Sequence, residues 1–130
     1  HIDENGNFIR NQYSVFNPLN IKSNRDNFAI KLLKYGCFIG TETAIFKKEI
    51  TNNIGKLNTS YKFISDYDFF IRIGLKYEFF ISNKILSSHS VHINNTQHKY
   101  FQSGKGYLEY ANLYFHYLFN KSDFTHHFLI

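Results

Sequence analysis

Residues 65–72 read Ser-Asp-Tyr-Asp-Phe-Phe-Ile-Arg. The spacing predicts a helix over 65–76. Ser65 has the hydroxyl that suits an N-cap, and Asp68 stands three residues on, in a capping-box-like position. Asp66 and Asp68 both favour the positive end of a helix dipole. Phe69, Phe70, Ile73 and Tyr77 recur at intervals of three and four and define an inward face. The acid pair has two readings. One is capping alone. The other is a general base, with one carboxylate projecting from the helix start into a cleft. A metal-binding Asp-x-Asp is set aside, because that motif follows an apolar strand whereas this one opens a helix.

Outward from this run, 37–39 and 43–46 read as short strands interrupted by Gly40-Thr41-Glu42. Residues 47–53 read as a short helix closed by Gly55. On the other side, 78–82 and 84–92 read as two further strands, the second ending at His92. Ser23 with Asp26 marks another helix start, and Phe28, Ile30, Leu32 and Leu33 give that helix, about 24–35, its apolar face. Asp3-Glu4-Asn5-Gly6 is a turn signal. The stretch 104–120 reads as a long aromatic helix. Its polar residues Lys105, Glu109, Asn112, His116 and Asn120 fall on one narrow stripe. So broad an apolar face implies packing on another part of the protein or contact with another subunit.

The chain has 130 residues, enough for one compact domain. It is 43% hydrophobic and 19% aromatic, which excludes intrinsic disorder. The net charge of +5 permits an anionic partner. The lysines are scattered, however, with no run of like charge, so no nucleic-acid partner is expected. Cys37 is the only cysteine, which rules out an intrachain disulfide. Its neighbours Tyr35, Phe38 and Ile39 suit a buried structural thiol rather than a nucleophile. No apolar run approaches the ~18 residues of a membrane span. The chain begins at His1 and contains no Met, so it is expected to be the edge of a larger protein.

Three segments in order carry a resemblance. Phe38-Ile39-Gly40-Thr41-Glu42-Thr43-Ala44-Ile45-Phe46-Lys47-Lys48-Glu49 comes first, then Ile54-Gly55-Lys56-Leu57, then Ser65-Asp66-Tyr67-Asp68-Phe69-Phe70-Ile71-Arg72. Together they resemble the family 2 glycosyltransferases. The turn at 2–10 and the segment 86–97 resemble a hairpin and a closing His-containing strand of the same enzymes. The resemblance covers about 1–100 and corresponds to the acceptor-side, C-terminal half of the catalytic domain. Ser65 stands where the family has Glu, and Ser90 where it often has Arg.

The resemblance implies an α/β fold: a partial GT-A-like mixed sheet with flanking helices. It would occupy 1–100, followed by a C-terminal aromatic helix and tail over 101–130. It implies an enzyme that transfers a sugar, with inversion, from a nucleotide-sugar donor to a hydroxyl of a carbohydrate or glycolipid acceptor. The expected setting is cell-surface polysaccharide synthesis, in the cytoplasm or at the inner face of the membrane. Asp66 inherits the role of catalytic base. Gly40, Thr41, Asp68 and Arg72 are implied to bind substrate, and His92 to contact the metal. The metal implied is Mg²⁺ or Mn²⁺, with its main ligands and the donor-binding strands in an N-terminal half outside this chain. The fragment alone is then expected to be inactive. The rival expectation is a non-catalytic interaction module derived from a transferase fold, self-associating through its C-terminal helix.

Overall fold

The computed structural model describes residues 1–3, 5–9, 25–82, 84, 85, 87–90 and 100–119. The helices α1 (Arg25–Tyr35), α2 (Glu49–Ile54), α3 (Ser65–Gly74) and α4 (Lys105–Phe119) organise them, and residues 100–102 are also helical. A short 3₁₀ turn spans Thr41–Thr43. The helix expectations are met to within about two residues at most ends. Gly36 follows α1 at φ 81° and Gly55 follows α2 at φ 82°. Both conformations are strained for residues with a Cβ, which is why glycine closes these helices.

The mixed sheet is not formed. Among the described residues the β-structure consists of isolated bridges, Ile2 antiparallel to Phe8 and Ile2 parallel to Ser90. The segments 37–39, 43–46 and 78–82, expected as strands, form no ladder. Short apolar runs suit a strand only when a neighbour accepts their backbone bonds, and periodicity alone does not supply the neighbour. Here side-chain packing takes its place. Phe79 lies face to face on Phe28 of α1, with centroids 3.8 Å apart and planes 7° apart. Phe38 meets the same ring edge-on at 5.5 Å. The N-terminal turn does form. Asp3 Oδ1 accepts the backbone N–H groups of Asn5 and Asn7, and Asn7 Nδ2 donates to Asp3 Oδ2. These bonds, Asn7's side chain foremost, hold the Asp3 carboxyl below its usual range.

Helix α3 is the centre of the molecule rather than a one-faced surface helix. Tyr67, Asp68, Phe69, Phe70, Ile71, Ile73 and Gly74 are all buried. The apolar periodicity marked Phe69, Phe70 and Ile73 as inward, and α1 and α4 cover Tyr67 and Ile71 as well. The Tyr67 hydroxyl donates to the carbonyl of Leu32 at 2.6 Å, which satisfies its polar tip inside the core. Leu113 and Tyr117 of α4 belong to the same apolar cluster as Phe28, Leu32 and Ile71. At the α1–α3 contact, a Cβ on Gly74 would lie 3.1 Å from the backbone nitrogen of Ala29. Backbone yields less readily than side chain, so a large residue there has to part the helices. Gly74→Leu is expected to lower stability by about 1–3 kcal/mol, read by urea denaturation.

The start of α3 is capped differently from expectation. Ile64 occupies the N-cap and makes no side-chain cap bond, while Ser65 is already helical. Just ahead of the helix, Glu109 of α4 takes the backbone N–H groups of the incoming chain. Glu109 Oε1 takes the N–H of Lys62 at 2.9 Å, and Oε2 takes those of Phe63 and Ile64 at 2.9 and 3.3 Å. The Tyr100 hydroxyl adds a fourth bond, 2.7 Å from Oε1. Glu109 is therefore a clasp between α4 and the entry to α3, not part of a solvated stripe. Burial pushes its carboxyl up, but the Tyr100 and three backbone bonds together outweigh that and leave it below the usual range. A lowered folded-state value stabilises above the unfolded value of about 4.3, and the gain is lost as pH falls through the folded value. Glu109→Gln is expected to cost about 1–2 kcal/mol at pH 7, with the gap from wild type closing below about pH 4. Thermal melts of both proteins across pH 3–7 check this.

Among the described residues, no helix is long and apolar enough to cross a membrane. The expected cap Ser23 and the expected strand end His92 lie outside the described residues.

Candidate active site

Local structure brings two of the expected site residues together. The 3₁₀ turn is closed at its start by Gly40, whose carbonyl accepts the Thr43 N–H at 2.9 Å and the Thr43 hydroxyl at 2.7 Å. This turn presents Thr41 at the start of α3. There the Thr41 hydroxyl donates to Asp66 Oδ2 at 2.6 Å, across 25 residues of sequence. Asp66 Oδ1 takes the N–H of Tyr67 at 2.8 Å. The carboxylate is thus held at both oxygens yet remains only half-buried. A carboxylate oxygen has two lone pairs, so Oδ2 keeps an acceptor position after Thr41 is served.

Thr41 and Asp66 both line a half-open groove of about 260 Å³. Phe46, Phe69 and Phe70 form most of its apolar wall, with Leu57 and Lys56 contributed by the loop after α2. Phe46 and Phe69 are tilted rings 5.4 Å apart. An apolar wall beside one fixed carboxylate suits a ligand with a carbon-rich face and a hydroxyl edge, which describes a sugar ring.

Asp68 and Arg72, expected to bind substrate, do not line this groove. Asp68 is 4% exposed. Its Oδ2 lies 2.9 Å from Arg72 Nε, and its Oδ1 accepts the Tyr117 hydroxyl at 2.8 Å. Burial first, then the charge of Asp68, pushes the Tyr117 phenol above its ordinary range, so it stays a donor. The other nitrogens of Arg72 reach the carbonyls of Ile54, at 2.6 Å, and Lys56, at 2.8 Å. Arg72 therefore terminates α2 and fixes the loop that brings Lys56 and Leu57 to the groove. Glu109, Tyr117 and Phe46 lay outside the expected site. Phe46 stood within the Gly-Thr segment, whereas the backbone partners of Glu109 and the Asp68 partner of Tyr117 are more than 40 residues away and left no local signal.

Cys37 donates weakly to the carbonyl of Ile39 at 3.6 Å. Burial pushes its thiol up to about 12, so it is not a thiolate nucleophile. Among the described residues, no three His, Cys, Asp or Glu side chains gather where they would hold a metal ion. Asp68 is already committed to Arg72 and Tyr117. The resemblance places the main Mg²⁺ or Mn²⁺ ligands outside this chain, and His92 lies outside the described residues. Compared with protein-family models, curated proteins and solved structures, the chain has no match.

Proposed function

We propose that this chain is the acceptor-side part of a glycosyltransferase. The enzyme moves a sugar from a nucleotide-sugar donor to a hydroxyl of a carbohydrate or glycolipid acceptor. The observation that carries the reading is the fixed, half-exposed Asp66 carboxylate beside an aromatic-walled groove. The expected sheet is not formed, so the reading rests on this site and on the order of the motifs around it. Asp66 accepts the proton of the acceptor hydroxyl as that oxygen bonds to the anomeric carbon. The bond from that carbon to the nucleoside diphosphate breaks, and the diphosphate leaves with the electron pair. The result is a single displacement with inversion. The resemblance that motivates the reading also implies a cytoplasmic setting, at the inner membrane face for a lipid-linked acceptor. The deciding experiment is a sugar-transfer assay of the full-length protein over a panel of nucleotide sugars, with Asp66→Asn beside it. Absence of transfer, or transfer indifferent to that substitution, overturns the proposal.

A second reading is favoured by one observation on α4. Tyr107, Leu108, Phe115 and Phe119 expose 66, 67, 60 and 70% of their surfaces. On this reading the protein is an interaction module, and the stripe pairs with the same stripe of a second copy. Sedimentation velocity is then expected to give a dimer that Phe115→Glu dissociates. A monomer at high concentration removes this reading.

A further inference from the structure

We propose that Thr41 is a positioning residue for the Asp66 carboxylate, an inference that rests on the proposed base. A carboxylate at the mouth of a half-open groove rotates about its side-chain bonds unless it is held. Asp66 Oδ1 is held locally by the N–H of the next residue. The remaining constraint comes from the 3₁₀ turn, the 2.6 Å bond from the Thr41 hydroxyl to Oδ2. The donor is itself fixed. Thr41 opens the 3₁₀ turn, its carbonyl accepts the Ala44 N–H at 3.3 Å, and Thr43 clamps the turn to Gly40 with two bonds. A proton acceptor works only within hydrogen-bond reach and alignment of the attacking hydroxyl, and misplacement by about 1 Å costs up to 10²-fold in rate. Thr41 therefore acts on turnover without touching the reacting atoms.

A purely structural tether between the turn and α3 predicts something different. Loss of such a tether lowers the melting temperature and leaves kcat alone. The experiment is steady-state kinetics of sugar transfer in the full-length protein for Thr41→Val, Thr41→Ser and Asp66→Asn, with a thermal melt of each. Thr41→Val keeps the shape and removes the hydroxyl. It is expected to lower kcat about 10- to 10²-fold with acceptor KM within about twofold. Thr41→Ser is expected to restore most of that loss. If Asp66→Asn loses transfer while Thr41→Val keeps the wild-type kcat, this inference falls and the base assignment stands. Thr41→Ser no faster than Thr41→Val also overturns it. If Asp66→Asn keeps its rate, or the wild type shows no transfer, both fall together.

Discussion

Asp66→Asn is expected to lower kcat for sugar transfer by about 10²- to 10⁴-fold, with little change in KM or in stability. The substitution preserves volume and leaves an acceptor oxygen. The Tyr67 N–H can only donate and keeps the amide oxygen, while the Thr41 hydroxyl is free to turn and accepts from the amide nitrogen instead of donating. What disappears is the capacity to take a proton. That capacity matters only as the acceptor oxygen attacks, which is why the loss falls on kcat rather than on ground-state binding. Asp66→Ala is expected to match the Asn variant in rate and also to release Thr41. The comparison separates basicity from tethering. A turnover within a few-fold of wild type for Asp66→Asn sinks the assignment of this carboxylate as the base.

How much of this was legible in the sequence follows from the range of the interactions. Helix α1 was legible because Phe28, Leu32 and Leu33 repeat at a period that only a helix puts on one face. Helix α4 was legible for the same reason, and Lys105, Asn112 and His116 of its polar stripe are exposed. The use made of Glu109 in that stripe was not legible. Glu109 binds backbone atoms 45 to 47 residues earlier, and no local pattern encodes such a partner. The strands failed in the complementary way. Residues 37–39, 43–46 and 78–82 have the composition of strands, but β-structure is a property of pairs, and these segments meet helices instead. The acid pair carried two expected roles, a base at Asp66 and capping with substrate binding at Asp68, but the burial of Asp68 against Arg72 and Tyr117 was not legible. Asp66 and Asp68 stand at adjacent even positions of one helix start, yet α3 is covered so fully that a 200° turn carries one carboxylate to the groove and the other into the core.

That second carboxylate leads to the largest expected effect on stability. Asp68→Ala is expected to destabilise the protein by about 3 kcal/mol, toward the lower end of the cost of breaking a buried ion pair. Arg72 loses its ion partner while 19% of its side chain is exposed, so water offsets part of the penalty. The Tyr117 hydroxyl loses its acceptor in a fully buried position, which adds the desolvation cost of an unmade bond. The damage then extends to the groove. Arg72 without its carboxylate holds the Ile54 and Lys56 carbonyls less firmly, and the loop bearing Lys56 and Leu57 loosens. Tyr117→Phe removes only the hydroxyl and is expected to cost about 1.5–3 kcal/mol, as for a hydrogen bond to a charged group. Combining the two substitutions gives a double-mutant cycle in which the costs fall short of additive, because each single change already abolishes the shared bond. Urea denaturation of the four proteins measures the coupling. Strict additivity contradicts the network, and an Asp68→Ala variant as stable as wild type means that Asp68 does not anchor α4 to α3.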